Sequence, residues 1–397
     1  MPHAIVVRGM CPRSWNWRPA WSFRSRNFLL YAATSADGSL VACVDSDLEL
    51  CAFNRAGELM WKFFQPELAG TRHLRELEVS KSGNTVAAID SMYTHKLYVL
   101  HRDGSPLWHR GLDSEWVAVR ISQDDSRICL TDGGTISMYN RSGEHLWTHH
   151  IKGSRLSLAA STDLRTVAWT GGRKAYLCGP DGEISGEVAA GDSLFFEMSA
   201  DGKLLVMDVS RTKLVAFDNT LAPVWEYSSK ASIFPVALSR DASLIAAGSR
   251  DGRLIALNGT GERLWEHRDR KHYQSPSELG FVWPIGVAAN GSIVVAGWGE
   301  RILRAFDKQG RALWGHLAND RISEDEGFEI EISIDGSLVV AGFNDGNFVV
   351  FDRRGKPLLT ERAGPYIHAP AIAEDGSLIA VILDERNLSV FKSAEGE

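Results

Sequence analysis

Hydrophobic and polar positions along the chain fall into short apolar runs separated by polar turns. Pro235 to Trp265 shows this most plainly. Runs ending at Ser239, Gly248 and Leu257 are closed by Asp241-Ala242, Asp251-Gly252 and Asn258-Gly259-Thr260-Gly261, and a further run opens at Leu264-Trp265. Each run holds four to six residues rich in Val, Ile, Leu and Ala. Runs that short, bounded by Gly and Asp, are the punctuation of strands rather than helices. The pattern predicts a four-stranded meander.

The meander recurs. Its first turn reads Ser-x-Asp-Gly or a variant, with the fourth position at Gly38, Gly83, Asp125, Leu164, Gly202, Ala242, Gly291, Gly336 and Gly376, a mean spacing of about 42 residues. That period lies within the ~40–45 residues of a propeller blade. A second marker closes the third strand, as in Phe53-Asn54, Phe217-Asp218, Phe306-Asp307 and Phe351-Asp352. A tryptophan follows at Trp61, Trp108, Trp147, Trp225, Trp265 and Trp314, with Gly186 and Leu359 in its place in the fourth and eighth units. One Trp per unit is read as packing between neighbouring sheets, because a large aromatic buries much area.

The last unit stops at Glu397 after three strands, and the segment before Phe28 has no unit of its own. Either Arg13–Trp21 or Ala4–Arg8 is expected to supply the missing strand and close the ring. The expectation is an all-β, single closed β-propeller of four-stranded blades. Residues 1–27 donate the closing strand and residues 28–397 form the repeats. Nine units are counted, with eight blades as the alternative because typical propellers have about four to eight.

These features resemble two propeller repeat families over nearly the whole chain. Ser239 to Asn258 and Ser333 to Asp352 are similar to the WD-repeat pattern, without its Trp-Asp pair or recurring Gly-His. Ala52 to Trp61, Ala256 to Trp265 and Ala305 to Trp314 resemble the quinoprotein-like (PQQ-like) repeat, with a turn one residue shorter. The resemblance implies the fold. It does not choose among scaffolds, lectins, hydrolases and oxidoreductases.

Composition narrows the function classes. The 397 residues are too many for one ordinary core and suit a repeat array. A net charge of −7 lacks the basic footprint of a nucleic-acid binder. The five cysteines are scattered and form no CxxC. The first eight residues lack a long apolar segment, and no apolar run reaches membrane-spanning length. A cytoplasmic setting, with no membrane partner, is therefore expected.

The chain carries no GxSxG elbow, HExxH helix, P-loop or GxGxxG fingerprint. No metal or cofactor is expected. Asp45-Ser46-Asp47 reads as a solvated turn. His149 and His150 are adjacent on a strand, so they point to opposite faces and do not jointly grip a metal.

Two groups of residues remain as candidates. Two positions before the first-turn serine, where a propeller's first strand lines the channel, most units have small residues, whereas Glu78, Arg120, Glu197 and Glu331 are charged. A buried charge must be paired or wetted, and Glu78 with Arg120 is read as a salt bridge joining blades. The second group lies on the face of the three long connections from fourth to first strand. The first connection carries Arg72, His73 and Arg75. The longest carries Arg268, Arg270, Lys271, His272 and Tyr273, with Trp283 beyond it. The third carries Arg321 and Phe328. Turns expected on the same face add Tyr93, His95, Trp298 and Arg301, and shorter connections add Trp116, Tyr366 and His368. Loops carry function more often than scaffolds do, and Tyr, Trp and Arg are enriched in binding hot spots.

The expected function is a non-catalytic protein-interaction scaffold that binds a protein partner through this face. The alternatives are a ligand-binding or enzymatic propeller working through the channel carboxylates, and a nucleic-acid-associated subunit using Arg268, Arg270 and Lys271, for which contact with nucleic acid would be indirect.

Overall fold

The structure, a computed structural model, describes residues 17–47, 49–64, 74–90, 96–114, 117–151, 158–171, 173–191, 196–268, 282–298, 302–317, 329–343, 347–362 and 370–393. Within them the chain forms nine four-stranded antiparallel sheets. Each sheet is one unit of the sequence repeat, so the nine-blade count holds and the eight-blade alternative does not. The first strands, in blade order, are Leu29–Thr34, Leu74–Val79, Val117–Ile121, Leu158–Ala160, Phe196–Met198, Ile233–Leu238, Val282–Val287, Glu329–Ile332 and Ala371–Ile372. The fourth unit, which lacks both Asp-Gly and Trp, is a regular blade.

The first strands stand side by side around the axis. Blade 1 packs on blade 2, blade 2 on blade 3, and blades 4 to 9 on one another in turn. The first strand of blade 9 returns to that of blade 1. Blade 3 joins blade 4 through a shared core that includes Cys129, Met138, Trp147, Trp169 and Cys178. Second and third strands are almost wholly buried, whereas fourth strands alternate between exposed and half-buried residues. The core is therefore nine slabs between sheets, with the fourth strands on the rim.

Ring closure follows the expectation. The fourth strand of blade 9 is Trp17–Arg24, which pairs antiparallel with Asn387–Ser393. Joining the two chain ends in one sheet leaves no open seam between the first and last blades.

Most first turns share one hydrogen-bond design. In blade 1, Ser35 Oγ donates to Asp37 Oδ1 at 2.7 Å and accepts from Leu40 N–H at 3.0 Å. The same pattern recurs at Ser199 and Ser239. The fourth turn position has positive φ, which favours Gly, yet Asp125, Leu164 and Ala242 hold it at +59°, +52° and +52°.

The recurring Trp holds the seams. Trp265 of blade 6 lies over Gly310 of blade 7, where a Cβ would stand 2.4 Å from the ring and where φ is +80°. Its indole N–H donates to Lys308 O at 3.0 Å. The rings of Trp61, Trp108, Trp147, Trp225 and Trp314 likewise lie over Gly104, Gly143, Gly182, Gly261 and Gly355, and that of Trp21 of the closing strand lies over Gly57. Trp21 therefore belongs to the repeat, although it lies at the opposite end of the chain. Both exceptions have a steric reason. Between blades 4 and 5 the sizes are exchanged: Gly186 replaces Trp, and Leu221 replaces the turn Gly. A Cβ on Gly186 would stand 2.5 Å from Thr220 O. Leu359 of blade 8 faces blade 9, whose fourth strand comes from the N-terminal segment and so has no third-to-fourth turn. Trp17 shares that cluster with Leu359.

Candidate functional site

The two faces of the ring are built differently. First turns lie on one face. The second-to-third turns and the fourth-to-first connections lie on the other, and the long connections therefore share one face. They leave the rim after Phe63, Arg268 and Leu317 and return at Leu74, Val282 and Glu329.

On the first-turn face the blades are tied to one another. Ala36 N–H donates to Lys81 O at 2.9 Å, Thr162 N–H to Ala200 O at 3.0 Å, and Arg240 N–H to Ala289 O at 2.9 Å. Across the axis, Glu374 of blade 9 accepts an ion pair from Lys81 of blade 2 at 2.9 Å and lies 3.6 Å from Arg240 of blade 6. Side chains from three separated blades thus meet over this end of the channel.

On the opposite face, buried aspartates at the ends of the second strands of blades 1 and 3 hold the short connections that enter those blades. Asp45 accepts from Ser25 Oγ at 2.9 Å, from Asn27 Nδ2 at 3.2 Å and from the N–H groups of Asp47 and Glu49 at 3.0 Å each. Asp132 Oδ2 accepts from Asp113 N–H at 2.8 Å, and burial pushes its carboxyl above the usual range despite that bond. The expectation of a solvated turn at Asp45 is corrected. Its carboxylate is buried because it satisfies the backbone of the turn and fastens the incoming chain.

Trp298 also requires correction. Its side chain is fully buried, not presented to a partner. It ends the second strand of blade 7, Ile293–Trp298, in register with Val282 and Ile302. Its indole N–H donates to Gly252 O of blade 6 at 2.9 Å, and its ring packs edge-on to His267 and Phe306. Trp298 is a strut between blades at the base of the longest connection. Arg268, half-buried at the start of that connection, donates from Nε to Asp251 O at 3.1 Å, and so holds the same turn.

Of the other candidates on this face, Arg72, His73, Tyr93, His95, Trp116, Arg270, Lys271, His272, Tyr273, Arg301, Arg321, Phe328, Tyr366 and His368 lie outside the described residues, as do the side chains of Arg75 and Trp283.

The four channel candidates are all described. Arg120 of blade 3 pairs closely with Glu76 of blade 2 and stands 3.8 Å from Glu78 Oε2. Glu76 Oε2 accepts from Val119 N–H at 2.7 Å, and Glu78 Oε1 from Ile121 N–H at 2.9 Å. The expected bridge between blades exists, but Glu76 is its principal acid. Glu76 lies two residues before Glu78 and so projects from the same face of the strand.

Burial pushes the Glu78 carboxyl up to about 7, opposed by Arg120. Burial also raises Glu197 to about 7, opposed by Arg120, and raises Glu331, opposed by Lys81. These groups are enclosed by protein around the channel yet touched by its water, since Arg120 keeps 53% of its side chain exposed. The wetting moderates each shift. Glu78, Glu197 and Glu331 hold equivalent positions in blades 2, 5 and 8, so they recur every third blade around the ring.

Among the described residues no cluster of three His, Cys, Asp or Glu side chains could hold a metal. His149 stacks on Trp169 with ring centres 5.1 Å apart and its Nε2 is 2.7 Å from Gly182 O, a packing role. A cleft of about 480 Å³ between blades 2 and 3, lined by His101, Leu107, Asn140 and Arg141, lies on the rim away from both the channel and the long connections. No helix is long and apolar enough to cross a membrane, among the described residues.

Nine four-stranded meanders closed by a donated strand, with an aromatic–glycine contact at most seams, define a β-propeller of WD-like and PQQ-like repeats. The chain belongs to the family described as outer membrane protein assembly factor BamB, whose profile matches residues 46–194 and 132–397. Among solved structures it is similar to the C-terminal WD40 domain of Sif2, at 14% identity and a TM-score of 0.60, covering 95% of this chain and 98% of that one. It is also similar to a eukaryotic initiation factor, at 12% identity and a TM-score of 0.64, covering 85% and 88%. At those identities the likeness is one of fold. No curated protein matches the chain.

Proposed function

We propose that this chain is a non-catalytic protein-interaction scaffold that docks a protein partner on the face carrying the long connections. The observation that carries the reading is the asymmetry of the two faces. One face is short turns laced between blades and bridged over the axis by Lys81, Glu374 and Arg240. The other receives the three longest connections, the longest of them rooted beside Arg268 and Trp298, while Asp45 and Asp132 fasten two of the short ones. A rigid ring that fixes where the connections leave and return lowers the ordering cost of association. The WD40 neighbours support the fold on which such a face is built, and the basic and aromatic content of residues 268–273 suits a partner with acidic and apolar groups. A cytoplasmic location is part of this proposal, and cell fractionation tests it.

The test is a pull-down from host lysate with three baits. The first is wild type, the second is R268A/K271A/Y273A, and the third changes the opposite face at R165A/K203A. A partner retained by the first and third and lost by the second is expected. Retention by the second bait, or loss by the third, contradicts the assignment of the face.

A second reading has one observation in its favour. Glu197 and Glu331 face the channel with raised carboxyls and, among the described residues, no hydrogen-bond or ion-pair partner. On that reading the channel takes an organic polycation. Calorimetry with spermidine, comparing wild type and E197Q/E331Q, tests it, and equal or absent heats for the two contradict it.

A further inference from the structure

Cys43 and Cys51 face each other across two neighbouring strands of blade 1, Leu40–Asp45 and Leu50–Asn54. Both side chains are buried, at 1% and 2% exposure. Asp45 N–H donates to Glu49 O, and alternation along the antiparallel ladder makes Cys43 and Cys51 the next mutually bonded pair. Such pairs hold their Cα atoms about 5.5 Å apart, inside the roughly 4.4–6.8 Å span of disulfides. Their Cβ atoms, also about 5.5 Å apart, must approach to the roughly 3.5–4.5 Å a disulfide needs, so linkage requires the two strands to shift locally. The neighbouring Cys51 thiol, with burial, pushes the Cys43 thiol well up. Cys51 Sγ donates to Glu49 Oε1 at 3.6 Å, and Glu49 pairs with Lys62, which lies opposite Cys51 on the fourth strand.

The pair belongs to the seam where the ring closes. Cys43 and Cys51 share a core with Ala373, Leu378 and Ala380 of blade 9 and with Trp21 and Phe23 of the closing strand. Lys62 Nζ lies 5.8 Å from the Phe23 ring centre. The closing strand, the half-exposed outer strand of blade 9, is therefore part of the cover over the dithiol, and segments with few buried contacts open locally more easily than the buried strands do.

We propose that Cys43 and Cys51 are a modification site: a dithiol that a disulfide oxidant of the glutathione class converts to a disulfide within blade 1 when the closing strand opens. The Cys51 thiolate attacks one sulfur of the oxidant, whose S–S bond breaks, and the expelled thiolate takes up a proton. The Cys43 thiolate then attacks Cys51 Sγ in the mixed disulfide and expels the second oxidant thiolate. Two electrons and two protons pass from the dithiol to the oxidant, leaving one protein disulfide and two free thiols. Oxidation fastens the two middle strands of blade 1 at the seam. Cys129 and Cys178, in blades 3 and 4, serve as internal controls, their thiols pushed up to about 12 by burial.

The test uses the reduced, folded full-length chain incubated with oxidised glutathione and then digested after blocking of free thiols. The expected result is an intact mass lower by two hydrogens and a linked peptide joining Cys43 to Cys51. In C43S the reaction should stop at a glutathione adduct on Cys51, and in C51S that adduct should be absent. In F23A, which loosens the closing strand, the linkage should form several-fold faster. Linkage through Cys129 or Cys178 in place of Cys43–Cys51, or thiols that react only after denaturation, overturns the proposal. An F23A rate equal to wild type overturns the route through the closing strand.

Discussion

Replacing Glu78 with Gln should stabilise the protein at pH 8 and leave it unchanged at pH 4.5. The carboxyl rises from 4.5 to about 7 on folding, burial being the main cause and Arg120 opposing it. Below pH 4.5 it is protonated in both states and contributes nothing. Between 4.5 and 7 the unfolded chain ionises first, so the folded state loses ~1.36 kcal/mol per pH unit. Above 7 the loss levels off at about 3 kcal/mol, a rise from 4.5 to about 7 at that slope. The side chain is 23% exposed to channel water, so screening reduces this to about 2 kcal/mol. Gln keeps the oxygen that accepts from Ile121 N–H, and Arg120 keeps Glu76. Urea unfolding of wild type and E78Q at half-unit steps from pH 4.5 to 8 reads the difference directly. The reasoning is refuted by a gap that does not change with pH, or by a variant that loses stability as pH rises. The latter would mean that the Glu78–Arg120 pair is a net asset.

Other substitutions test the packing account. Trp298→Ala should cost about 3–5 kcal/mol in urea unfolding, as removal of a large buried aromatic does; an unchanged midpoint would return Trp298 to the exposed surface. Gly310→Ala should cost about 2–4 kcal/mol, because its φ of +80° and the Trp265 ring both oppose a Cβ. The double variant G310A/W265A should recover part of that loss. If it recovers none, Trp265 is not what excludes the side chain.

Nine blades were legible because the first-turn and Trp markers repeat at nearly fixed intervals, and both depend on local geometry. Ser35 and Asp37 fold their turn through bonds within six residues of chain. Trp21 was not legible as part of that repeat, since its glycine partner belongs to a blade that follows it in sequence but closes the ring from the other side. Trp298 was misread as a turn residue. Its parity with Val294 and Ala296, both buried in the same cluster, was the available signal. Glu76 carried a similar signal in its parity with Glu78. The meeting of Lys81, Arg240 and Glu374 had none, because only the curvature of the ring brings blades 2, 6 and 9 together. Glu78, Glu197 and Glu331 could be picked out as charges among small residues, but their raised carboxyls follow from the enclosure of the channel.

The central claim is that a protein partner docks on the face of the long connections, and photo-crosslinking tests it most directly. A benzophenone side chain is placed at position 268, at the base of the longest connection, and in a separate protein at position 203, on a first turn of the opposite face. The account predicts a covalent adduct with the same lysate protein from position 268 and none from position 203. An adduct from position 203 alone would contradict it.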